Sequence, residues 1–511
     1  MVASASNEGA LLLGASVRAR PLPLALVALA VAATTTVSVP HAFAGAQGNE
    51  GRIKNVIYLL GDGMGVTQVA ATRERYAGLN GQLAMETLPA KGFVSTYSVE
   101  KLSGQPGESD FKPNAVTDSA SAATAWASGV KTYNAALGID AKGNVVPTLM
   151  ELAKKAGYAT GNVSTAEITD ATPAGQVSHA LARGCQGPTY SASSCQDLAV
   201  TGSALPTSDV RVTPIAEQIA RNGTADVLLG GGLARFDAAD ETALTDQGYQ
   251  VLGSPTSQTV ATRSDLAAAT GHKVFGLFNR GNLTIEKYKR ENPTAPQAAE
   301  PSVSQMTSKA LGLLSQGGSK DKGFYLQVEG ALIDKRSHAN DAAQTLEETK
   351  AFDDAVAVAL AFAKKDGHTL VIVTADHECA GFNIVEKGTF TNAEAAAPPA
   401  NTDSGNPANA SLTPRTSGST KDATRSAGPI NGSGAGNPKS FAPATFRVPT
   451  DPASVTDGDP AASLWLSYLS GNHTGADVPV FGYGAGSEQL EARVENTSLF
   501  GIVGRALGVT G

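Results

Sequence analysis

Three kinds of residue in this chain could do chemistry: a serine at a helix start, acidic side chains where apolar runs break, and histidines beside them. Thr117-Asp118-Ser119-Ala120 opens a run of small, helix-compatible residues through Trp126, and Gly129 would stop it. Asp118 suits the N-cap, which leaves Ser119 among unpaired N–H groups that favour an alkoxide or a bound phosphate. The same spacing also describes an ordinary serine cap. Asp62 lies in Gly61-Asp62-Gly63-Met64-Gly65, whose glycines let the chain turn sharply and place a carboxylate at a strand end. Asp170 and Thr172 offer hard oxygen ligands of the kind Mg²⁺ takes, and equally a plain cap before a proline-started helix. Glu329 closes the apolar run Gly323 to Val328. Asp334 and His338 are four apart, so on a helix they share a face and could grip one cation or simply pair on the surface. Asp376 and His377 are adjacent at the end of another apolar run, and both suit zinc. His473 stands in Asn472-His473-Thr474-Gly475.

The elements that must carry these residues alternate between the two regular types. Lys54 to Leu60, Gly92 to Ser98, Tyr158 to Ser164, Ala225 to Leu229, Gly323 to Val328, Leu370 to Val373 and Val478 to Tyr483 read as strands. Val66 to Tyr76, Val146 to Lys155, Ala174 to Arg183, Ser302 to Leu314, Ala343 to Lys364 and Thr497 to Leu507 read as helices. This order predicts an α/β fold with a large central, mostly parallel sheet flanked by helices on both faces. In such sheets ligands bind beyond the carboxyl ends of the strands, which is where Asp62, Asp170, Glu329, Asp334, Asp376, His338 and His377 fall. From Asn392 to Thr445 the chain turns rich in Ala, Pro, Ser, Thr, Asn and Gly and loses its periodicity, as a low-complexity insertion would.

The 511 residues, 41% hydrophobic and 17% charged, suit a large globular core, and a net charge of −8 with no basic stripe argues against a nucleic-acid surface. Arg18 and Arg20 precede an apolar run from Pro21 to Ala33, and Ala42-Phe43-Ala44 has the form of a cleavage site. Residues 1–44 therefore read as a signal peptide and 45–511 as a single domain with an insertion at about 386–450. The mature protein is expected to be periplasmic or secreted, with no membrane anchor after signal removal. Cys185 and Cys195 enclose a Ser-, Gly- and Pro-rich loop that reads as a local disulfide in an oxidising compartment. Cys379 reads as a buried free thiol, with a metal role as the alternative.

Taken together, the blocks Leu59-Leu60-Gly61-Asp62-Gly63-Met64-Gly65, Thr117-Asp118-Ser119-Ala120, Asp170-Ala171-Thr172-Pro173, Gln327-Val328-Glu329-Gly330, Asp334-Lys335, Thr374-Ala375-Asp376-His377 and His473-Thr474-Gly475 resemble the bacterial alkaline phosphatases, in that family's order. The resemblance covers nearly the whole mature chain and is poorest between His377 and His473. It implies a site with two Zn²⁺ and one Mg²⁺. Asp334, His338 and His473 would hold one zinc, Asp62, Asp376 and His377 the other, and Asp170, Thr172 and Glu329 the magnesium, with Asp62 bridging. Ser119 would be the nucleophile, Arg183 the phosphate clamp and Asp118 its orienting partner. Lys335 matches family members that place Asp and Lys near the metals, which favours Mg²⁺ over a third zinc. His179, His272 and His368 remain as structural or exposed residues.

The resemblance further implies hydrolysis of varied small phosphomonoesters through a phosphoserine intermediate, with an alkaline optimum. Relatives are commonly homodimers, although no stretch here identifies an interface. A sulfatase would need a modifiable cysteine where Ser119 stands, and diesterases of this fold usually carry threonine there and lack the arginine. A non-catalytic binding protein would have lost a central group, whereas each one is present.

Overall fold

The computed structural model describes residues 53–316, 322–388, 444–469 and 471–510. The sequence-predicted signal peptide and nearly all of the low-complexity insertion lie outside these residues. Ten strands form the central sheet: β1 (Asn55–Gly61), β2 (Ala90–Ser95), β3 (Ala159–Glu167), β4 (Val227–Gly231), β5 (Gln250–Leu252), β6 (Val274–Leu277), β7 (Phe324–Gly330), β8 (Thr369–Thr374), β9 (Val478–Tyr483) and β10 (Arg493–Glu495), in spatial order β10-β2-β9-β8-β1-β7-β3-β4-β6-β5.

The central strands β1, β3, β7 and β8 are buried along their whole length; β1, β7 and β8 are largely apolar, as strands covered on two sides usually are, whereas β3 also buries Thr160, Asn162, Ser164 and Thr165. β1 pairs in parallel with both β7 and β8, and β3 with β7 and β4. Only β9 runs the other way, antiparallel to β8 and to β2. The carboxyl ends of the parallel strands and the start of β9 therefore share one edge of the sheet.

The helices that matter for that edge are α1 (Val66–Ala77), α2 (Ser119–Ser128), α3 (Leu149–Lys155), α4 (Ala171–Ala174), α5 (Val303–Leu314), α6 (Leu332–His338), α7 (Ala342–Asp366) and α8 (Asn496–Leu507). α2 matches its sequence pattern closely. The Asp118 carboxylate accepts the Ser121 N–H at 3.0 Å, and Gly129 ends the helix at φ 76°. Its small side chains are all buried, which lets the helix sit tight beneath the site. Trp126 stacks on Tyr58 of β1, ring centroids 5.8 Å apart, and donates Nε1–H to Gln327 of β7.

The helix expected from Ala174 to Arg183 is not formed. α4 stops at Ala174, because side chains of other elements take the carbonyls that would feed a longer helix. Gln327 Nε2 donates to Thr172 O, Asn162 Nδ2 to Pro173 O and Thr148 Oγ1 to Gln176 O. The His179 N–H goes to Gln218 Oε1, and Ala180 pairs with Leu137 in an isolated bridge. Residues 175–183 thus form an irregular strap. The predicted low-complexity boundary also moves. Ala444–Phe446 is a strand, paired with Leu464–Ser467, so Thr445 belongs to the fold and not to the insertion.

Candidate active site

Register and turn geometry bring the sequence-predicted residues to the shared edge. Leu60 of β1 lies opposite Glu329 of β7 and Thr374 of β8, so Asp62, Glu329 and Asp376 leave neighbouring strand ends. Gly63 is at φ +70°, and a Cβ on it would meet the Asp334 Cα at 2.9 Å and the Cys379 Cβ at 2.8 Å. Only glycine permits that approach of the Asp62 turn to α6. The Gly63 N–H then donates to Asp376 Oδ1 at 3.0 Å, tying the β1 and β8 ends together. His473 arrives from the opposite direction, just before antiparallel β9, in a two-residue pairing of His473–Thr474 with Glu378–Cys379.

Two groups of ligand atoms result, Asp334–His338–His473 (with Cys379 beside them) and Asp62–Asp334–His377, each with its atoms within 4.8 Å of one another. His338 Nε2 is 3.2 Å from Asp334 Oδ2, and His473 Nε2 is 3.5 Å from Asp334 Oδ1 and 3.0 Å from His338 Nε2. His377 Nε2 is 3.1 Å from Asp376 Oδ2 and 3.7 Å from Asp62 Oδ1. Despite these separations, the buried Asp62 Oδ1, Asp334 Oδ1 and Asp376 Oδ2 accept no hydrogen bond. Buried lone pairs without donors are costly in a bare protein and are what divalent cations satisfy. The donor set of carboxylates and imidazoles fits zinc. Two of the three outer ring nitrogens are held as ligand histidines require, His338 Nδ1 at 2.8 Å from Gly471 O and His473 Nδ1 at 3.0 Å from Thr117 O, whereas the buried His377 Nδ1 has no hydrogen-bond partner. The second contact ties the His473 ring to the backbone that leads into Asp118 and Ser119.

Ser119 is buried at the first position of α2, with its Oγ 3.3 Å from His377 Nε2. Next to it runs a chain of charge. Arg183 Nη1 lies 3.2 Å from Asp118 Oδ2, Arg183 Nη2 lies 2.7 Å from Asp170 Oδ1, and Lys335 Nζ lies 2.7 Å from Asp170 Oδ2. Burial would raise the Asp170 carboxyl, but Lys335 and Arg183 outweigh it and hold this group well below the usual carboxylate range. Asp118 behaves likewise, lowered against its burial by Arg183 and by the Ser121 N–H.

The magnesium set assembles differently. Both oxygens of Asp170 are already engaged, and Glu329 Oε2 accepts a short hydrogen bond from Ser164 Oγ of β3. Thr172 Oγ1 is buried and free of hydrogen bonds. Burial pushes the Glu329 carboxyl up to about 7, with Asp170 adding to the shift, and Asp62 is raised by burial, Asp376, Asp334 and Glu329. Carboxylates crowded in this way need positive charge between them.

Several supporting residues carried no local signal in the sequence. Ser164 and Gln327 sit inside strands. Glu378 gathers Gln68 Nε2, Thr474 Oγ1 and the Phe382 N–H, fixing the segments that carry His377 and His473 to α1. Of the set-aside histidines, His179 is buried, His368 is half-buried and His272 is exposed. Cys379 is a buried free thiol that donates to Asp334 O at 3.7 Å, and Cys185 and Cys195 form a disulfide.

Residues 53–509 match the family model for alkaline phosphatase. The chain is 42% identical over 356 residues to alkaline phosphatase of Escherichia fergusonii, covering 64% of this chain and 71% of the relative. It is 32% identical over 489 residues to alkaline phosphatase 3 of Bacillus subtilis, covering 92% and 93%. Its fold is similar to that of a TAB5 alkaline phosphatase mutant solved with Mg bound, with a TM-score of 0.58, 26% identity, and coverage of 90% of this chain and 99% of that one. With its sheet, its carboxylate–imidazole groups and its helix-borne serine, the chain belongs to the alkaline phosphatase family, metal-dependent hydrolases of phosphate monoesters.

Proposed function

We propose that this protein is an exported phosphomonoesterase that works through a phosphoserine intermediate on Ser119, with two Zn²⁺ and one Mg²⁺ as resident cations. The observation that carries this reading is the convergence of Ser119 Oγ on the Asp62–Asp334–His377 group at the start of α2. Asp334, His338 and His473 would hold one zinc and Asp62, Asp376 and His377 the other, while Glu329 and Thr172 would hold magnesium beside Asp170. When bound, these cations supply Lewis acidity: a lower pKa for the attacking hydroxyl and charge at the leaving oxygen.

The chain's own groups do the rest. The N–H groups at the start of α2 face an entering phosphoryl group. Asp118 and Asp170 hold the Arg183 guanidinium, leaving its Nε–H and the second hydrogen of each terminal nitrogen for non-bridging oxygens. Lys335 keeps Asp170 ionised and turned toward Arg183. Ser119 Oγ bonds to phosphorus as the ester P–O bond breaks, and the alcohol leaves with a proton. Water then cleaves the phosphoserine, releasing inorganic phosphate and restoring the Ser119 hydroxyl. The transition state is loose, so positioning and charge carry most of the acceleration.

Export rests on the arginine-led apolar segment and on the Cys185–Cys195 disulfide, a pairing that persists in oxidising compartments. Among the described residues, no helix is long and apolar enough to cross a membrane. The family match from 53 to 509 supports one catalytic domain after the signal.

The test compares wild type with Ser119→Ala on an aryl phosphate and on a matched diester, with metal content measured on the same samples. Wild type should prefer the monoester strongly, and Ser119→Ala should lose turnover by orders of magnitude with its metals retained. Undiminished turnover in the variant would move the nucleophile elsewhere.

A further inference from the structure

His179 lies in the strap between Asp170 and Arg183, 6% exposed. Its Nδ1 is 2.7 Å from Gly138 O and its Nε2 is 3.0 Å from Glu151 Oε1. Both neighbours accept, so only an imidazolium, with a hydrogen on each nitrogen, satisfies them together. Gly138 is at φ +59°, and a Cβ there would come within 2.5 Å of Nδ1, so the backbone is shaped to admit the ring. The residue's own backbone is clamped too. Its N–H donates to Gln218 Oε1 at 2.9 Å, and its carbonyl accepts from Gln218 Nε2 at 2.8 Å.

The other side of this contact is the start of α3. Glu151 Oε2 accepts the Thr148 N–H at 2.9 Å in a capping box, and Thr148 Oγ1 donates to Gln176 O at 2.7 Å. The α3 cap thus holds the strap at two points. Beyond His179, Tyr133 Oη donates to Leu181 O at 2.8 Å and the Arg183 N–H to Ala135 O at 2.7 Å.

We propose that His179 is a positioning residue for phosphate capture: its imidazolium, bridging Gly138 and Glu151, fixes the strap from which Arg183 reaches Asp118 and Asp170. This inference rests on the phosphomonoesterase reading above. Burial works against the cation, but the Glu151 carboxylate outweighs it and raises the ring's pKa, while Glu151 itself is lowered. Glu151 of α3 is the one charged group acting on the ring among the described residues. Gly138 and Gln218, its other partners, are neutral. Loss of the proton would set a lone pair against an acceptor and open one bridge, loosening the strap as pH rises.

Glu151→Gln separates this device from the fold. The amide Oε1 keeps the Thr148 N–H, and its Nε2 can donate to the Nε2 of a neutral ring, whose Nδ1–H still serves Gly138. The experiment measures KM and kcat for an aryl phosphate and Ki for inorganic phosphate, on metal-loaded wild type, Glu151→Gln and His179→Ala, from about pH 7 to about pH 10. Ionisation of phosphate and of the metal site is common to wild type and Glu151→Gln, so it cancels in their ratio. The ratio of wild-type to Glu151→Gln Ki should rise with pH. His179→Ala should raise KM and Ki about tenfold, the effect of one lost charge-assisted hydrogen bond, with kcat changed less.

A ratio flat across that pH range, or His179→Ala melting earlier with Ki unchanged, overturns the proposal. Should His179→Ala fail to fold, the Glu151→Gln ratio alone decides. No monoester turnover by wild type would fail the functional reading and this role with it, whereas an active wild type with a flat ratio fails only the latch.

Discussion

Replacing Arg183 with lysine separates charge from geometry at the phosphate clamp. The guanidinium spends one arm on Asp118, at 3.2 Å, and one on Asp170, at 2.7 Å, and presents its remaining hydrogens to the site. A lysine ammonium keeps the charge but is a single nitrogen, so it cannot satisfy both carboxylates and also span two phosphoryl oxygens. One charge-assisted hydrogen bond to phosphate is then lost, about 1.5–3 kcal/mol, or roughly a 10- to 150-fold rise in KM and in Ki for inorganic phosphate. Because the clamp holds the phosphoryl group before and during transfer, kcat should fall much less. Folding should change little. Asp170 retains Lys335 at 2.7 Å, and Asp118 retains the Ser121 N–H at 3.0 Å. With the arginine side chain 29% exposed, the loss should stay within about 1 kcal/mol. Steady-state kinetics, phosphate inhibition and a thermal melt on one preparation read all three quantities. An unchanged Ki with a native melt would refute the assignment of Arg183 as clamp. A collapse of kcat at constant Ki would place it in the chemical step instead.

The Cys185–Cys195 bridge closes a loop with a sequence separation of 10, which corresponds to about 2.7 kcal/mol of chain entropy; the double serine variant should lose roughly that in denaturant unfolding, with KM nearly unchanged. Denatured, unreduced protein should show one alkylatable thiol, Cys379, and two more there would exclude the bridge. Metal uptake should also release protons. In the metal-free protein burial lowers the His473 pKa, but Asp334 outweighs this and pushes it up to about 9, so the ring is charged at pH 7.5 and must become neutral to ligate. The sign follows: the raised ring stabilises the metal-free fold most below its ordinary 6.5, and that contribution fades as pH rises through about 9. Calorimetry of zinc binding in buffers of different ionisation enthalpy should show more proton release at pH 7.5 than at pH 10. Equal release at both would contradict the Asp334–His473 pairing.

Much of the site is written in short-range pattern. Asp118 as cap, Ser119 at the helix start and Gly129 as stop all follow from local backbone chemistry, and the structure shows each of them. The polar breaks at the ends of β1, β7 and β8 likewise marked Asp62, Glu329 and Asp376: Glu329 is the penultimate residue of β7 and the other two follow their strands, where largely apolar runs stop. What the residues could not reveal locally is which strand lies beside which. The placement of β1 between β7 and β8, and the reversal of β9 that returns His473 to the same edge, are fixed by long-range burial and pairing.

The strap shows the same limit in reverse. Ala174 to Arg183 has helical composition, yet side chains from outside it, those of Gln327, Asn162 and Thr148, take the carbonyls at its start. Helix propensity amounts to a few tenths of a kcal/mol per residue, less than such buried hydrogen bonds, so tertiary contacts decided the outcome. Sequence by itself determined the chemistry available at each strand end. The tertiary structure decided which of those groups meet, because convergence depends on sheet order and on side chains from separate elements competing for the same backbone.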